Sequence, residues 1–515
     1  MSKINRRSFL ATLGTSTFMM GFPAAWAAGD HFHVVVYGAT SAGVHAAYAA
    51  AREGFKVAIV VGPNPIGGMT ANGLGHSDVN QTRTLAEQKI GGLTAAFFKA
   101  MGRHYGREYS YHFEPSVAEA YFRKLIDDAD ISVYYQDFKE NKPLKKDGQR
   151  IKYLLLEDGT MIVGQVFIDC SYEGDLMAAA GVSYDVGRDS GEKFGESLAG
   201  FGVSQIVKSR IKVRDSAGRL LPWVKPFPPT AVGGADLGVM GYNYRLCMTN
   251  DPHDRLPLAL PAVYNKDWYK IDMQRGKGET FNAGTDLTGT SKVDRNSDEP
   301  TGPSWNYPRA TRANRKKIAE FHKNYQAGRL YFLATDPSVA KTYRDSVMEW
   351  GLARSEFTDN GHWPRQLYVR EARRLRGIYK VRQQDCSAGR SYDDGVFWWA
   401  YPFDSHSVQY LEGPSGELVI EGAKLSDLPN SKLFRYQMPL RAMMPLPSQC
   451  SNLIVPVCAS VTRIANTSYR MEAAYMMAGE AAGIVAAKAG YTGQTVQSVS
   501  ASYVISKLKG YGALI

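Results

Sequence analysis

The chain has 515 residues, of which 44% are hydrophobic, and a formal net charge of +11 at pH 7. This length exceeds one ordinary core, and the hydrophobic content is enough to fill two domains, so we expect a globular protein throughout. The charge is modest for the size, which argues against a nucleic-acid partner and mildly favours anionic substrates.

The cysteine and histidine spacings predict neither disulfides nor a metal site. Five cysteines leave at least one thiol unpaired. No Cys-x-x-Cys or His-x-x-x-His spacing occurs, so we expect no bound metal.

The N-terminus predicts export. The segment NRRSFL at residues 5–10 is followed by a mildly apolar run to Trp26, and AWA at 25–27 fits a cleavage pattern. These features are typical of a twin-arginine signal peptide over residues 1–27. They predict folded passage through the twin-arginine translocase and a periplasmic or secreted protein. No later apolar run is long enough to span a bilayer, so we expect no integral membrane segment after cleavage.

Residues 33–61 predict a strand, a tight turn, a helix and a second strand. Val34–Tyr37 is an apolar run of the kind found in strands buried on both faces, and Gly38 ends it. An alanine-rich helix follows, and Val57–Val61 forms the second apolar run. A turn of this kind binds anions, because backbone N–H groups and the positive end of the helix dipole face the ligand.

The turn matches the dinucleotide fingerprint G-x-G-x-x-G imperfectly. Gly38, Thr40 and Gly43 take the three glycine positions, and Thr40 replaces the middle one. Val61 stands where an acidic residue would hold a ribose hydroxyl, for which Asn64 is a candidate substitute. The segment alone therefore leaves plain packing of a strand on a helix open.

The next segments predict further pieces of nucleotide-binding architecture. Residues 65–79, PIGGMTANGLGHSDV, predict an ordered loop that passes close to something flat or charged. Asp158-Gly159 predicts a hairpin whose second strand ends in Asp169, before a helix of small residues. The remaining predictions are helices near Gly92–Tyr105 and Ser116–Asp128 and strands at Ile131–Phe138, Ile151–Glu157 and Thr160–Asp169.

The composition changes over residues 186–436, which are rich in proline, asparagine and aromatic residues and predict an inserted substrate domain. Within it, residues 362–377 place a set of arginines around a single acid, Glu371. Two interpretations stay open: a solvated face, or a cationic wall that holds a substrate carboxylate. The arginines are Arg365, Arg370, Arg373, Arg374 and Arg376.

The end of the chain resembles its beginning. Leu453–Val457 predicts a buried strand, a loop follows through Arg463, Asn466 and Ser468, and Arg470–Ala487 predicts a long helix. We therefore expect residues 30–185 and 437–515 to share one domain.

Together these segments resemble a bacterial family of FAD-dependent oxidoreductases. Its members are often exported, and some are labelled xanthan-lyase-related. The resemblance spans Val34 to Ala487 and implies glutathione-reductase-type architecture: an α/β fold with a Rossmann-like FAD-binding domain assembled from N- and C-terminal segments and an inserted α+β substrate domain. The motifs are YGATSAGVHAAYAAAREG, IGGMTANGLGHSD, DCSYEGDLMAAAG, FTDNGHWPRQLYVREARRLRG, NLIVPVCAS and RMEAAYMMAGEAAG.

The resemblance implies FAD as the cofactor and a set of residues around it. Gly38, Thr40, Ser41, Ala42 and Gly43 would cradle the pyrophosphate, and Gly67, Gly68 and Met69 would follow the ribityl and flavin side. Phe138 would lie near the adenine, and Asp169, Gly174 and Asp175 near the ribose. Arg463, Asn466 and Arg470 would approach the isoalloxazine, with the last helix directing its positive end at flavin N1 and C2=O.

The implied reaction is oxidation of a C–H bond next to oxygen or nitrogen by hydride transfer to flavin N5, in a sugar, an alcohol or a related small molecule, including a carboxylated one. Such a reaction needs a base, for which His76, His362 and His406 are candidates. His362 is the first choice, because Arg370 and Glu371 follow it closely. Since no NAD(P)H pool exists outside the cytoplasm, we expect oxygen, a quinone or a redox protein as the electron acceptor.

Three other functions remain open. A polysaccharide (uronate) lyase with a structural or transiently redox-active flavin fits the family label and the arginine-rich segment. An exported binding protein without turnover and an NAD-dependent dehydrogenase fit less well. A binding protein would not need so many motif residues, and an NAD-dependent dehydrogenase suits neither the compartment nor the C-terminal segment.

Overall fold

The computed structural model describes residues 29–274 and 280–515, so the predicted signal peptide at 1–27 lies outside the described residues. The strands are β1 (Asp30–Tyr37), β2 (Val57–Val60), β3 (Ser132–Tyr134), β4 (Leu144–Asp147), β5 (Arg150–Leu155), β6 (Met161–Asp169), β7 (Tyr184–Asp185), β8 (Gln205–Lys212), β9 (Val224–Lys225), β10 (Leu246–Thr249), β11 (Arg255–Leu256), β12 (Thr285–Asp286), β13 (Lys292–Arg295), β14 (Gly351–Ala353), β15 (Arg374–Leu375), β16 (Gly395–Trp399), β17 (Gln409–Glu412), β18 (Glu417–Glu421), β19 (Tyr436–Pro439) and β20 (Leu453–Ile454). The helices are α1 (Ser41–Ala51), α2 (Gly92–His104), α3 (Pro115–Asp128), α4 (Asp175–Ala179), α5 (Gly191–Phe194), α6 (Lys270–Gln274), α7 (Arg312–Thr335), α8 (Lys341–Met348), α9 (Gln383–Ser387), α10 (Arg463–Tyr469), α11 (Glu472–Thr492) and α12 (Ala501–Gly510).

The main sheet has the strand order β3-β2-β1-β6-β5-β4, and β20 pairs with the carboxyl-terminal end of β6. Strands β3, β2, β1, β6 and β20 run parallel, while β5 and β4 continue the sheet antiparallel. Val34–Tyr37 in the centre of this sheet is fully buried, as its unbroken apolar run predicts. The predicted α/β fold class is confirmed.

Segments from both ends of the chain meet on this sheet. Helix α11 packs along α1 and against β1 and β6. A Cβ on Gly479 would lie 2.2 Å from the Ala42 carbonyl oxygen, and one on Gly483 would lie 2.3 Å from that of Ala46. The small residues therefore let the two helix backbones approach closely, so segments from early and late in the described chain pack on one Rossmann-like sheet.

Most predicted elements appear close to their predicted bounds, and three differ. The Asp158-Gly159 hairpin joins β5 and β6 as predicted. The strand predicted at Ile131–Phe138 is shorter, because the chain after Tyr134 leaves the sheet. The one predicted at Leu453–Val457 also stops early, since Pro456 cannot donate a ladder hydrogen bond. The loop predicted through Arg463, Asn466 and Ser468 is helix α10, whose N-terminus is capped by the Thr462 hydroxyl.

The middle of the chain forms smaller sheets beside the main one. A five-stranded sheet has the order β11-β14-β10-β13-β12, and a four-stranded sheet has the order β8-β18-β17-β9. All five cysteines are buried and unpaired within the described residues. No helix in the described part of the chain is long and apolar enough to cross a membrane.

Candidate functional site

The predicted fingerprint turn lies at the carboxyl end of β1, beside the carboxyl end of β6, where open parallel sheets bind their ligands. Gly38 has a φ of +89°, and a Cβ there would lie 2.7 Å from the Ser171 nitrogen. A Cβ on Gly43 would lie 2.0 Å from the Gly38 oxygen. Thr40 caps α1, because its hydroxyl accepts from the Gly43 N–H at 3.1 Å and donates to the Cys170 carbonyl at 2.9 Å.

The glycine-rich loop lies directly on this turn. The Gly67 N–H donates to the Ala39 carbonyl at 2.8 Å. Gly67 and Gly68 have φ values of +80° and +52°, which side chains disfavour. A Cβ on Gly68 would lie 2.3 Å from the Tyr172 hydroxyl, and the Met69 N–H donates to that hydroxyl at 2.8 Å.

The carboxyl group of Glu472 joins the segments predicted around the cofactor. Glu472 is the first residue of α11, and its Oε2 accepts from the Ser41 hydroxyl at 2.5 Å and from the Thr70 hydroxyl at 2.8 Å. Its Oε1 accepts from the Tyr172 hydroxyl at 2.7 Å. Burial raises the pKa of Glu472, although these hydroxyls oppose the rise. Glu472 was not among the predicted site residues, and its signal in the sequence is an acid two positions after Arg470, at a helix start.

Phe138, predicted near the adenine, lies in the segment after β3, the strand at the edge of the main sheet. Its ring centroid is 4.7 Å from that of Tyr37, and the Arg312 guanidinium lies 4.6 Å from the Phe138 centroid. Asp137 accepts from the Tyr37 hydroxyl at 2.8 Å and pairs with Arg312 at 2.7 Å. Burial raises the pKa of Asp137 to about 6.

The two acids predicted near the ribose bind groups of the protein itself. Asp169 accepts from the Ser171 hydroxyl at 2.6 Å and from the Met177 N–H at 2.7 Å, and burial raises its pKa to about 6. Asp175 pairs with two arginines of the inserted part, each at 2.6 Å. Gly174 precedes α4 with a φ of +67°. These contacts close the turn after β6 in the described structure.

Asn64, the candidate substitute for the missing ribose acid, is fully buried. Its amide donates to Glu173 at 3.3 Å and to Gln366 at 3.2 Å, while its Oδ1 has no partner within the described residues. Burial raises the pKa of Glu173 to about 7. This unpaired oxygen can accept a hydrogen bond from a ligand hydroxyl.

The arginine-rich segment is neither a solvated face nor an open cationic wall. Each of its arginines has an acidic partner in the protein, and Arg370 and Arg374 are almost fully buried. The single acid Glu371 is also buried and pairs with Arg463 at 3.1 Å. The prediction of a wall that holds a substrate carboxylate is therefore wrong. The pairs are Arg365 with Asp359, Arg370 with Glu299, Arg373 with Asp175, Arg374 with Asp189 and Arg376 with Asp185.

Two of the three predicted bases lie apart from the other predicted catalytic residues. His362 has its Nδ1 3.2 Å from the Glu356 carbonyl oxygen, and no contact joins it to Arg370 or Glu371 within the described residues. Its nearness to them in sequence therefore brings no direct contact within the described residues. His76 has its Nδ1 2.9 Å from the Nε2 of His112, and burial lowers the pKa of His76 to about 4.

His406 is the predicted base that lies on a cavity wall between two carboxylates. Its Nδ1 is 2.7 Å from a Glu299 oxygen, and its Nε2 is 3.6 Å from a carboxylate oxygen of Asp404. Burial alone would raise the pKa of Glu299, but His406 and Arg370 outweigh it and lower the pKa to about 2. Asp404 also pairs with Arg470 at 2.5 Å.

A chain of polar contacts between alternating basic and acidic side chains therefore runs from the cavity to Arg470, which lies between α10 and α11. It consists of Arg370, Glu299, His406, Asp404 and Arg470 in that order. Arg470 continues it by donating to the Tyr368 hydroxyl at 2.7 Å. Of the residues predicted at the isoalloxazine, Arg470 is in this chain, Arg463 pairs with Glu371, and Asn466 lies on α10 between them. Sequence analysis missed both carboxylates of this chain.

The cavity beside His406 has a volume of about 950 Å³. Its floor is built from internally paired charges, including Arg295 with Asp298 at 2.5 Å and Arg329 with Asp272 at 2.8 Å. Its exposed rim carries basic side chains, which make it attractive to anions. The rim residues are Lys208, Arg210 and Lys424.

Comparison with known proteins places the sequence among flavoproteins. The family model described as FAD dependent oxidoreductase matches residues 33–509. No curated protein matches the chain.

Solved structures resemble parts of the chain. L-proline dehydrogenase from P. horikoshii shares 13% identity, over 32% of this chain and 59% of its own, with a TM-score of 0.26. L-amino acid deaminase from Proteus vulgaris shares 12% identity, over 31% and 52%, with a TM-score of 0.24. GidA from Aquifex aeolicus shares 18% identity, over 27% and 25%, with a TM-score of 0.21. The matches span less than two thirds of each of these chains, and scores this low establish no shared substrate or mechanism.

The residues at the strand ends fit FAD chemically. The glycine turn, the Ser41 hydroxyl and the N-terminus of α1 suit a pyrophosphate, and the unpaired Asn64 oxygen suits a ribose hydroxyl. Among these groups, the Ser41 hydroxyl donates to Glu472, which also accepts from the Tyr172 hydroxyl. The neighbouring cavity, beside Asp137 and Arg312, has a volume of about 230 Å³, below the roughly 300–1,000 Å³ usual for ligand sites.

Proposed function

Because the chain belongs to the family of FAD-dependent oxidoreductases, we propose that it oxidises a C–H bond next to oxygen or nitrogen in a sugar, alcohol or related small molecule bound beside His406. One observation carries this proposal. The imidazole of His406 lines the 950 Å³ cavity, and Asp404 connects it to Arg470, which lies just before α11. The cavity volume lies within the range of small-molecule sites.

His406 is suited to remove the proton from a substrate hydroxyl or amine. Its Nδ1 is held by Glu299, and its Nε2 lies too far from Asp404 for a good hydrogen bond. The Nε2 can therefore accept the substrate proton, and the resulting imidazolium lies between two carboxylates that stabilise it. FAD, when bound, supplies the hydride acceptor. Arg470 and Arg370 keep the two carboxylates ionised and in position.

The rim of the cavity favours a carboxylated substrate. Lys208 and Arg210 are exposed there, while Lys424 lies 3.7 Å from an Asp427 oxygen and the floor charges are paired within the protein. The basic side chains of the rim would therefore bind a substrate carboxylate most strongly, with the reacting carbon of the substrate directed towards His406.

The test is replacement of His406 by glutamine. We expect kcat to fall about 10²- to 10⁴-fold, because a positioned base is lost, while the visible spectrum still shows bound flavin. The substrate for this test is first identified by mixing the protein anaerobically with neutral sugars, uronic acids and amino acids. The compound that bleaches the bound flavin is then used. His253→Gln is the matched control, since this side chain is exposed and remote from the cavity. Unchanged turnover in H406Q would remove His406 from the role of base.

The uronate lyase alternative loses its structural support. It rests on the family label and on the arginine-rich segment, and the arginines of that segment are paired with acids of the protein. The anaerobic experiment separates the two functions: a lyase would release an unsaturated uronate, visible in the ultraviolet, without bleaching the flavin.

We also propose that the protein is exported folded by the twin-arginine translocase and passes its electrons to oxygen, a quinone or a redox protein. The motif NRRSFL supports the route, and folding in the cytoplasm allows FAD to be loaded before export. Replacing Arg6 and Arg7 together by lysine should retain the protein in the cytoplasm, as shown by cell fractionation. Equal periplasmic amounts of this variant and the unchanged protein would contradict the proposed route.

A further inference from the structure

The segment at residues 399–407 lines two different cavities. Its end, with His406, belongs to the 950 Å³ cavity, and its beginning lines a second cavity of about 440 Å³. The other walls of this second cavity come from residues 80–88, which follow the glycine-rich loop, and from residues 426–435. The two cavities share no lining residue. The volume of the second cavity is within the range usual for small-molecule sites.

One wall of the second cavity is aromatic and is fixed to α10. The rings of Trp399 and Tyr401 are stacked, with centroids 6.5 Å apart and planes at 21°. The Trp399 indole N–H donates to the Ser468 carbonyl at 2.8 Å, and the Ser468 hydroxyl donates to the Tyr401 carbonyl at 2.6 Å. Tyr401 is half-buried and Trp399 lies buried against it. The Tyr401 ring therefore offers a supported flat surface on which the apolar face of a ligand ring can pack.

The other walls carry two arginines, Arg83 and Arg435, that have no acidic partner within the described residues. Arg83 is exposed, and its side chain makes no ion pair in the described part of the chain. Arg435 donates to the Glu87 carbonyl through Nη2, while its buried Nε has no partner. The Glu87 carboxylate itself accepts from the N–H and the hydroxyl of Thr84, at 2.7 and 2.8 Å. Two guanidinium groups are therefore available to an anion, with which they can bond bidentately.

The lining of the second cavity suits binding and not proton removal. Among the described residues, no aspartate, glutamate or histidine lines it. Burial raises the pKa of Tyr401 well above its ordinary value, and the carboxylates of Asp78 and Asp404 add to the rise, so the phenol stays protonated. The absence of lining acids also distinguishes this cavity from that of His406, whose floor arginines are paired with acids. An anion here meets no carboxylate that would repel it.

We propose that the second cavity is a binding site for a cyclic carboxylate, a molecule that carries a carboxylate on a ring with an apolar face. Uronic acids and aromatic acids both have this chemistry. Arg83 and Arg435 bind the carboxylate, and the ring packs on Tyr401. The proposal is independent of the reaction assigned to His406, because the two cavities have separate linings.

The test is calorimetric titration of the FAD-loaded mature protein with D-glucuronate and with benzoate, each compared with a neutral counterpart, glucose or benzyl alcohol. We expect at least one carboxylate to bind about tenfold more tightly than its counterpart, because the arginines recognise its charge. Arg83→Gln should weaken binding of that carboxylate about tenfold, since a charge-assisted hydrogen bond is lost. Arg83→Lys, which keeps the charge but not the guanidinium fork, should lose less. Tight binding of glucuronate alone would identify an acidic sugar as the ligand, and of benzoate alone an aromatic acid.

Two control variants separate this site from general charge effects and from the other cavity. Lys432→Gln removes a positive charge from the same segment as Arg435, but this side chain lies over the Phe434 ring at 4.7 Å and does not line the cavity. Lys208→Gln removes a positive charge from the rim of the His406 cavity. Both variants should bind the carboxylate as tightly as the unchanged protein does.

Three results would overturn the inference. Neither carboxylate binds, or the neutral counterparts bind equally well, or carboxylate binding is lost in K208Q and kept in R83Q. The last result would assign the ligand to the cavity of His406. None of them alters the comparison of turnover between H406Q and the unchanged protein, so the proposed reaction is judged separately.

Discussion

At the scale of single residues, the site beside His406 depends on two partly buried carboxylates, Glu299 and Asp404, that are kept ionised by their neighbours. Burial would raise the pKa of Asp404, but His406 and Arg470 outweigh it and hold the pKa well below its ordinary value. Burial would also raise the pKa of Glu299, but His406 and Arg370 outweigh it and lower the pKa to about 2. A buried charge of this kind stabilises the fold only while its partners remain in place.

Glu299 predicts a pH dependence of stability. Its folded pKa of about 2 lies below the ordinary value of 4.5, so the unfolded chain binds the proton more tightly. Its contribution to stability is therefore complete above pH 4.5 and is lost as the pH falls towards 2. Between pH 6 and pH 3, the unchanged protein should lose about 2 kcal/mol more free energy of unfolding than Glu299→Gln.

This difference is measured by denaturant unfolding of both proteins across that pH range. Other carboxylates titrate in both and cancel in the comparison. Parallel curves for the two proteins would show that Glu299 is not held ionised by His406 and Arg370.

At the scale of elements, the close packing of α1 on α11 places the two helix starts side by side. Gly479 and Gly483 lie four residues apart on one face of α11 and contact the backbone of α1 directly. Any side chain at these positions would push the helices apart. The position of Glu472 beside Ser41 therefore depends on glycines more than one helical turn further along the same helix.

Gly479→Ala should destabilise the protein. Its Cβ would lie 2.2 Å from the Ala42 carbonyl oxygen, which is backbone and cannot rotate away. We expect a loss of about 1–3 kcal/mol in the free energy of unfolding, together with weaker FAD binding. Gly490→Ala on the same helix is the control, because its nearest contact is a side-chain oxygen at 3.3 Å. Alanine there should be neutral or stabilising by up to about 1 kcal/mol, and equal losses in both variants would contradict the packing argument.

At the scale of the whole molecule, the arginine-rich segment ties the inserted part of the chain to the main sheet. Arg373 and Arg315 both pair with Asp175 at the start of α4, and Arg374 pairs with Asp189. Arg312, at the start of α7, pairs with Asp137 after β3. These buried pairs fix the inserted part over the strand ends, which positions the cavity of His406 relative to the FAD site.

The sequence by itself determined the features that depend on neighbouring residues. The apolar run before Gly38, the Asp158-Gly159 hairpin and the small residues of α11 each carry a local signal, because strand burial, turn geometry and helix packing follow from residues a few positions apart. These signals were enough for the fold class, while FAD followed from the resemblance of the motifs to a family of FAD-dependent oxidoreductases.

Only the tertiary structure decided which charges are free and which are paired. Glu299 lies 107 residues from His406, and Glu472 lies 431 residues from Ser41, so no local pattern joins them. The arginines after His362 look like a substrate site in sequence, yet folding brings an acid to each of them. The physical reason is that a buried charge must find a partner, and the fold supplies that partner from any distance along the chain.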